Sequence, residues 1–105
     1  MNPKTLRIHD AARKEANHAK AWYRERSIKA ARGFADELER VLGRIFDDPS
    51  AGPLYLSGTR RAKLHRYPYI IVYKVRGSVV QIVAVAHTSR RSGYWAKRRF
   101  DTEAP

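Results

Sequence analysis

The chain has 105 residues, 43% of them hydrophobic, with a net charge of +12 and no cysteine. This bounds it to one domain, residues 1–105, with one modest core, and excludes both a disulfide framework and a thiolate metal site. His9, His18, His65 and His87 lack metal-ligand spacing, no stretch reaches the length of a membrane span, and residues 1–9 lack the apolar core of a signal peptide; a soluble cytoplasmic domain without metal or cofactor is expected.

Leu6 and Ile8 alternate with Thr5, Arg7 and His9, which predicts a short edge strand over 5–9. Asp10 is placed to cap a helix over 11–26, whose apolar positions Ala12, Ala16, Ala19 and Tyr23 share one face. Ser27 can cap a second helix that follows at once. Ala31, Phe34, Ala35, Leu38, Val41, Leu42 and Ile45 fit its period, with Asp36, Glu37, Glu39, Arg40 and Arg44 assigned to the solvent side. Asp47, Asp48 and Pro49 end it, because proline disfavours helical backbone in the residue before it. Two helices so joined should form an antiparallel hairpin.

A loop over 50–58 precedes three expected strands: a short basic one over 61–67, then apolar runs over 69–75 and 79–87 joined by a tight turn at Arg76, Gly77 and Ser78. Runs this apolar need cover on at least one face. The order β-α-α-β-β-β predicts an α+β fold with a helical hairpin on one face of a small, mainly antiparallel sheet.

Charge is unevenly spread along these elements. Residues 49–99 hold eleven Lys and Arg and no acid, whereas residues 1–48 hold the same number of bases against eight acids. An uncompensated basic surface attracts polyanions by steering and counterion release, so nucleic acid or an acidic protein is the first partner to consider. Within it, Arg60, Arg61, Lys63, His65 and Arg66 form one cluster. Strand alternation would put Arg61, Lys63 and His65 on one face as a phosphate track, or as an edge strand protected by charge against aggregation.

A second cluster leaves the last strand: His87, Arg90, Arg91, Tyr94, Trp95 and Arg98. Counting back by twos sets His87 with Val85, Val83, Gln81 and Val79 on the face away from the helices. Histidine can move a proton near neutral pH, arginine binds phosphate through paired hydrogen bonds, and aromatic rings stack on unpaired bases. These are parts for gripping or cutting RNA; a structural histidine and packing aromatics are the alternative use of the same residues, and for Trp95 the commoner one. With no carboxylate in this half, a nuclease built there has no acidic base and no magnesium cage, and must attack through the RNA 2′-OH. Trp22 and Tyr23 on the first helix are expected to be packing residues.

The strings AWYRER, FADELERVLGRIFDDP, RRAKLHRYPYIIVYKV and VVQIVAVAHTSRRSGYW, in this order, resemble the RelE/ParE superfamily of bacterial type II toxins over nearly the whole chain. The resemblance implies a growth-inhibiting toxin held in a hetero-oligomer by a cognate antitoxin with an acidic or amphipathic tail. RelE-like members cut mRNA on the ribosome, which would make His87, Arg90 and Tyr94 the catalytic set of a metal-independent endoribonuclease. Arg60, Arg61, Lys63, His65, Arg91 and Arg98 would then bind nucleic acid. ParE-like members instead poison DNA gyrase without catalysis. The missing acidic base, and the absence of a lysine-rich stretch beyond Arg60, Arg61 and Lys63, keep that second reading open beside the first.

Overall fold

The computed structural model describes residues 5–100; the remainder of the expected 1–105 domain lies outside them. In chain order the elements are β1 (Thr5–Ile8), α1 (Asp10–Arg26), α2 (Ile28–Asp47), two short 3-10 turns (Pro49–Ala51 and Leu56–Gly58), β2 (Arg60–Lys63), β3 (Tyr69–Arg76) and β4 (Val79–His87). The sheet runs β1-β4-β3-β2, with β1 parallel to β4 and the other pairs antiparallel. This is the expected α+β order. No described helix is long and apolar enough to cross a membrane.

Both helices start on a side-chain cap, but the first cap is not the expected one. His9 has extended backbone and its Nδ1 accepts the Ala11 N–H at 3.0 Å, so Asp10 is already helical. Its carboxylate there meets the positive end of the helix dipole. Ser27 serves two helices. Its N–H donates to the Tyr23 carbonyl at 2.7 Å and closes α1, and its Oγ accepts the Ala30 N–H at 3.1 Å and opens α2.

Ala12, Ala16 and Ala19 of α1 are buried, as are Ala31, Phe34, Leu38, Val41 and Ile45 of α2, and they meet Ile71, Tyr73, Val80, Ile82 and Val85 of the sheet. Alanines let α1 lie close to β4. The other sheet face has its own cluster of Val72, Val83, Ala84 and Ala86, and the cover there is the exit segment, whose Trp95 is 1% exposed. Packing by Trp95 therefore agrees with the sequence. Trp22 does not pack as expected: it is 51% exposed, with the Arg26 guanidinium 3.7 Å above its ring.

Glu37, assigned to solvent by periodicity, is 2% exposed. The Leu64 N–H still bonds the Tyr69 carbonyl of β3 at 3.0 Å, but the two N–H groups after it have no strand partner. The Glu37 carboxylate accepts from His65 N–H and, at 3.3 Å, from Arg66 N–H. Burial opposes its charge, but those two donors win and hold its pKa below the usual 4.5. Glu37→Ala leaves both donors unpaired, and urea denaturation should show a loss of about 2 kcal/mol.

One irregularity redirects the end of the sheet. Val72 pairs with Ala84 but Tyr73 pairs with Ile82, so Val83 is an extra residue in β4. Below this bulge Val80 and Ile82 face the helices; above it Val85 does, and Ala84 and Ala86 face away. His87, paired with Tyr69, accordingly lies on the helix side. The expected placement of His87 away from the helices is thus reversed, because alternation by twos fails at Val83.

Candidate site at the exit of the last strand

β1 pairs with β4 only as far as Ile82, after which the His9 N–H bonds the Ile82 carbonyl at 3.0 Å and the chain turns into α1. That leaves the edge of β4 open just above. Two side chains close it. Arg98 Nη1 donates to the Val83 carbonyl at 3.0 Å, and Glu15 Oε1 accepts the Val85 N–H at 3.0 Å. The two then join each other, through Arg98 Nη1 to Glu15 Oε1 at 2.9 Å and Nη2 to Oε2 at 2.7 Å. A bidentate ion pair thus continues the strand edge in place of backbone.

Tyr94 completes the arrangement by donating its hydroxyl to Glu15 Oε2 at 2.5 Å. The positive φ of Gly93, 83°, is the kind of turn that lets the exit segment double back at this point. Arg90 stacks on the Tyr94 ring, its Cζ 3.7 Å from the centroid, with Nη1 3.9 Å from Glu15 Oε2. Burial disfavours the Glu15 charge, but hydrogen bonds from Arg98, Tyr94 and Val85 outweigh it and lower its pKa below 4.5. For Tyr94, burial and then the bond to Glu15 push the phenol well above its usual 10. A phenol committed in this way is a poor proton carrier.

His87 lies beside this network. Its Nδ1 accepts the Ser89 N–H at 3.0 Å, with Ser89 Oγ 2.8 Å away, and its ring meets the edge of Tyr69 at 5.0 Å. The three residues nominated as catalytic are therefore neighbours, with different freedoms. Tyr94 is bound, His87 is held at one nitrogen, and Arg90 keeps half its side chain in solvent.

The nominated nucleic-acid residues divide. Arg98 is consumed in the ion pair. Arg60 donates to the Gly52 carbonyl at 2.6 Å and anchors the loop before β2. Arg61 and Lys63 pair with Val72 and Ile70, residues packed on the Trp95 side, so they lie on the opposite face from His87. They border a separate cleft of about 620 Å³ with Tyr55, Thr88 and Ser92. His65 falls beyond the end of β2, so the expected three-residue stripe stops at two. Arg91 is exposed in the segment that follows β4. Among the described residues no group of three acids or histidines could hold a metal ion.

Glu15 is the functional residue absent from the sequence-based set. By composition it is one acid among the balanced charges of the first half, yet it stands on the flank of the Ala12, Ala16 and Ala19 stripe, three residues after the first. A carboxylate beside an apolar helix stripe is a signal that burial awaits it and that a partner must exist.

Comparison with known proteins fits this architecture. No curated protein sequence matches the chain. A solved structure described as the chromosomal ParDE TA system from P. aeruginosa is 17% identical with a TM-score of 0.70, covering 81% of this chain and 96% of that one, and shows the shared fold. The family of the ParE toxin of the type II toxin-antitoxin system, parDE, matches residues 6–92. With the match running from β1 through the turn after β4, the chain belongs to the ParE toxin family of type II toxin-antitoxin systems.

Proposed function

We propose that this toxin inhibits growth by binding DNA gyrase rather than by cutting mRNA. The observation that carries the reading is the engagement of Tyr94 and Arg98 by Glu15. A ribonuclease needs a free proton carrier and cations aimed at the phosphate, and here Tyr94 of the catalytic set and Arg98 of the nucleic-acid-binding set are spent on structure. ParE-like members act without catalysis, and a site made of held side chains suits binding. Ribosome-dependent cleavage keeps only His87 and Arg90 of its nominated trio.

Induction of the gene, with RNA ends and DNA breaks mapped in the same culture, separates the two. The expected result is an SOS response and gyrase-linked DNA breaks with intact transcripts, reproduced with purified gyrase in a supercoiling assay. Transcripts cut in the ribosomal A site, with cutting and toxicity both lost in His87→Ala, would overturn the proposal.

A further inference from the structure

Arg90 is restrained at its backbone and at its tip, and neither restraint occupies the N–H donors of its side chain. At the backbone, the Arg90 N–H donates to the His87 carbonyl at 3.0 Å, and the His87 ring accepts the Ser89 N–H at 3.0 Å, which ties down the turn leaving β4. At the tip, the guanidinium carbon lies 3.7 Å from the centre of the Tyr94 ring. Stacking on a ring face restrains a guanidinium while its in-plane N–H groups stay open to a partner. Nη1 stands 3.9 Å from Glu15 Oε2, beyond hydrogen-bond reach, and 53% of the side chain is exposed.

The Tyr94 ring can orient Arg90 only if it is itself fixed. Glu15 fixes it, because Oε2 accepts the Tyr94 hydroxyl at 2.5 Å. Glu15 is in turn locked by the paired Arg98 bonds and by the Val85 N–H. Support therefore runs from the β4 edge to Glu15, to Tyr94 and to Arg90. With its oxygens engaged by Arg98, Tyr94 and Val85, the carboxylate orients Arg90 without bonding to it. Arg91, next in sequence, shows the contrast. It is exposed, and among the described residues its side chain makes no ion pair, hydrogen bond or ring contact. A guanidinium fixed in advance loses less freedom when it pairs with an oxyanion, so Arg90 is the better prepared of the two.

We propose that Glu15 is a positioning residue for toxicity: through the Tyr94 hydroxyl it sets the direction in which Arg90 meets an oxyanion of the target. Glu15 and Tyr94 act through Arg90 and not by touching the target. The role deepens the binding reading above, and rests on the gyrase assignment only for the identity of that target.

The test uses the full toxin well below its melting temperature, with folding followed by circular dichroism. Potency is read twice: as the toxin concentration that half-inhibits supercoiling by purified gyrase, and as growth inhibition on induction, which presumes no target. Arg90→Ala should lower potency by about tenfold or more. Arg90→Lys should lose nearly as much, because an ammonium keeps the charge without the planar fork. Tyr94→Phe removes the hydroxyl, and Glu15→Gln leaves one acceptor oxygen for three donors; each should lower potency by about threefold to tenfold. The deciding variant is Glu15→Gln with Arg90→Ala, which should be no weaker than Arg90→Ala alone, since nothing is left to orient. Arg76→Ala, exposed at the end of β3, should match the unaltered toxin. In NMR spectra the Tyr94 ring should shift the Arg90 side-chain protons upfield, and Glu15→Gln should return them towards free-arginine values. Losses that multiply in the double variant, an unmoved Arg90 signal in Glu15→Gln, or full potency in Arg90→Lys would each overturn the proposal. Growth inhibition that follows the expected pattern while purified gyrase is unaffected would support the positioning role and overturn the gyrase reading instead.

Discussion

Glu15→Ala is expected to lower the melting temperature by about 10–20 °C. Removing one partner of a buried ion pair costs about 3–5 kcal/mol when burial is complete. The Glu15 and Arg98 side chains are 14% and 18% exposed, so a discount to about 2–3 kcal/mol is appropriate. For a domain of this size each kcal/mol moves the midpoint by about 4–8 °C. The loss has four parts, because Arg98, the Tyr94 hydroxyl and the Val85 N–H all lose an acceptor, and the β4 edge opens. Glu15→Gln keeps an acceptor for Val85 and should fall between the two.

The same residue fixes a sign in pH. Its pKa is lower folded than unfolded, so its contribution is complete above the usual 4.5 and drains away as pH falls through the lowered folded value. Glu37 titrates in the same direction, so the useful quantity is the difference between the unaltered protein and Glu15→Gln. That difference should shrink below about pH 4.5. A difference that stays constant, or a melting point within about 2 °C for Glu15→Ala, would show that the exit segment is held by something else.

Trp95→Ala should be costlier still, about 3–5 kcal/mol in denaturant unfolding, as for other buried aromatic truncations. The indole is the largest fully buried side chain, and Val72, Val83, Ala84 and Ala86 rely on it for cover, with Tyr55 alongside at 5.7 Å. Among the described residues no helix covers that face to take over. Trp95→Phe retains much of the apolar surface and should lose less than half as much, which keeps the comparison measurable if the alanine variant does not fold. A cost below about 1 kcal/mol for Trp95→Ala would show that the face is covered without it.

What could be read from the sequence was what depends on near neighbours. The α2 stripe from Ala31 to Ile45, the α2 cap at Ser27, the turn at Gly77 and the apolar strands are all patterns within a few residues. What could not be read depends on distant ones. Glu15 is 70 residues from Val85 and 83 from Arg98, and Glu37 is 28 from His65. Helical periodicity sorts residues by hydropathy and therefore sends both acids to solvent, while their actual partners are backbone groups stranded where β1 and β2 stop short. The acid-free character of residues 49–99 was correct as composition and misleading as chemistry. The fold imports a carboxylate into that half from α1, and it separates Arg61 and Lys63 from His87 by the thickness of the sheet.

The extra residue at Val83 has a consequence for comparing chains of this architecture. The side that receives the β4 exit depends only on whether an odd or even number of residues precedes it, and the bulge changes that parity. Two relatives can thus share helices, topology and a gapless alignment through β4, yet deliver aligned exit residues to opposite surfaces. A histidine aligned with His87 is equivalent to it only if the second chain makes the same miscount.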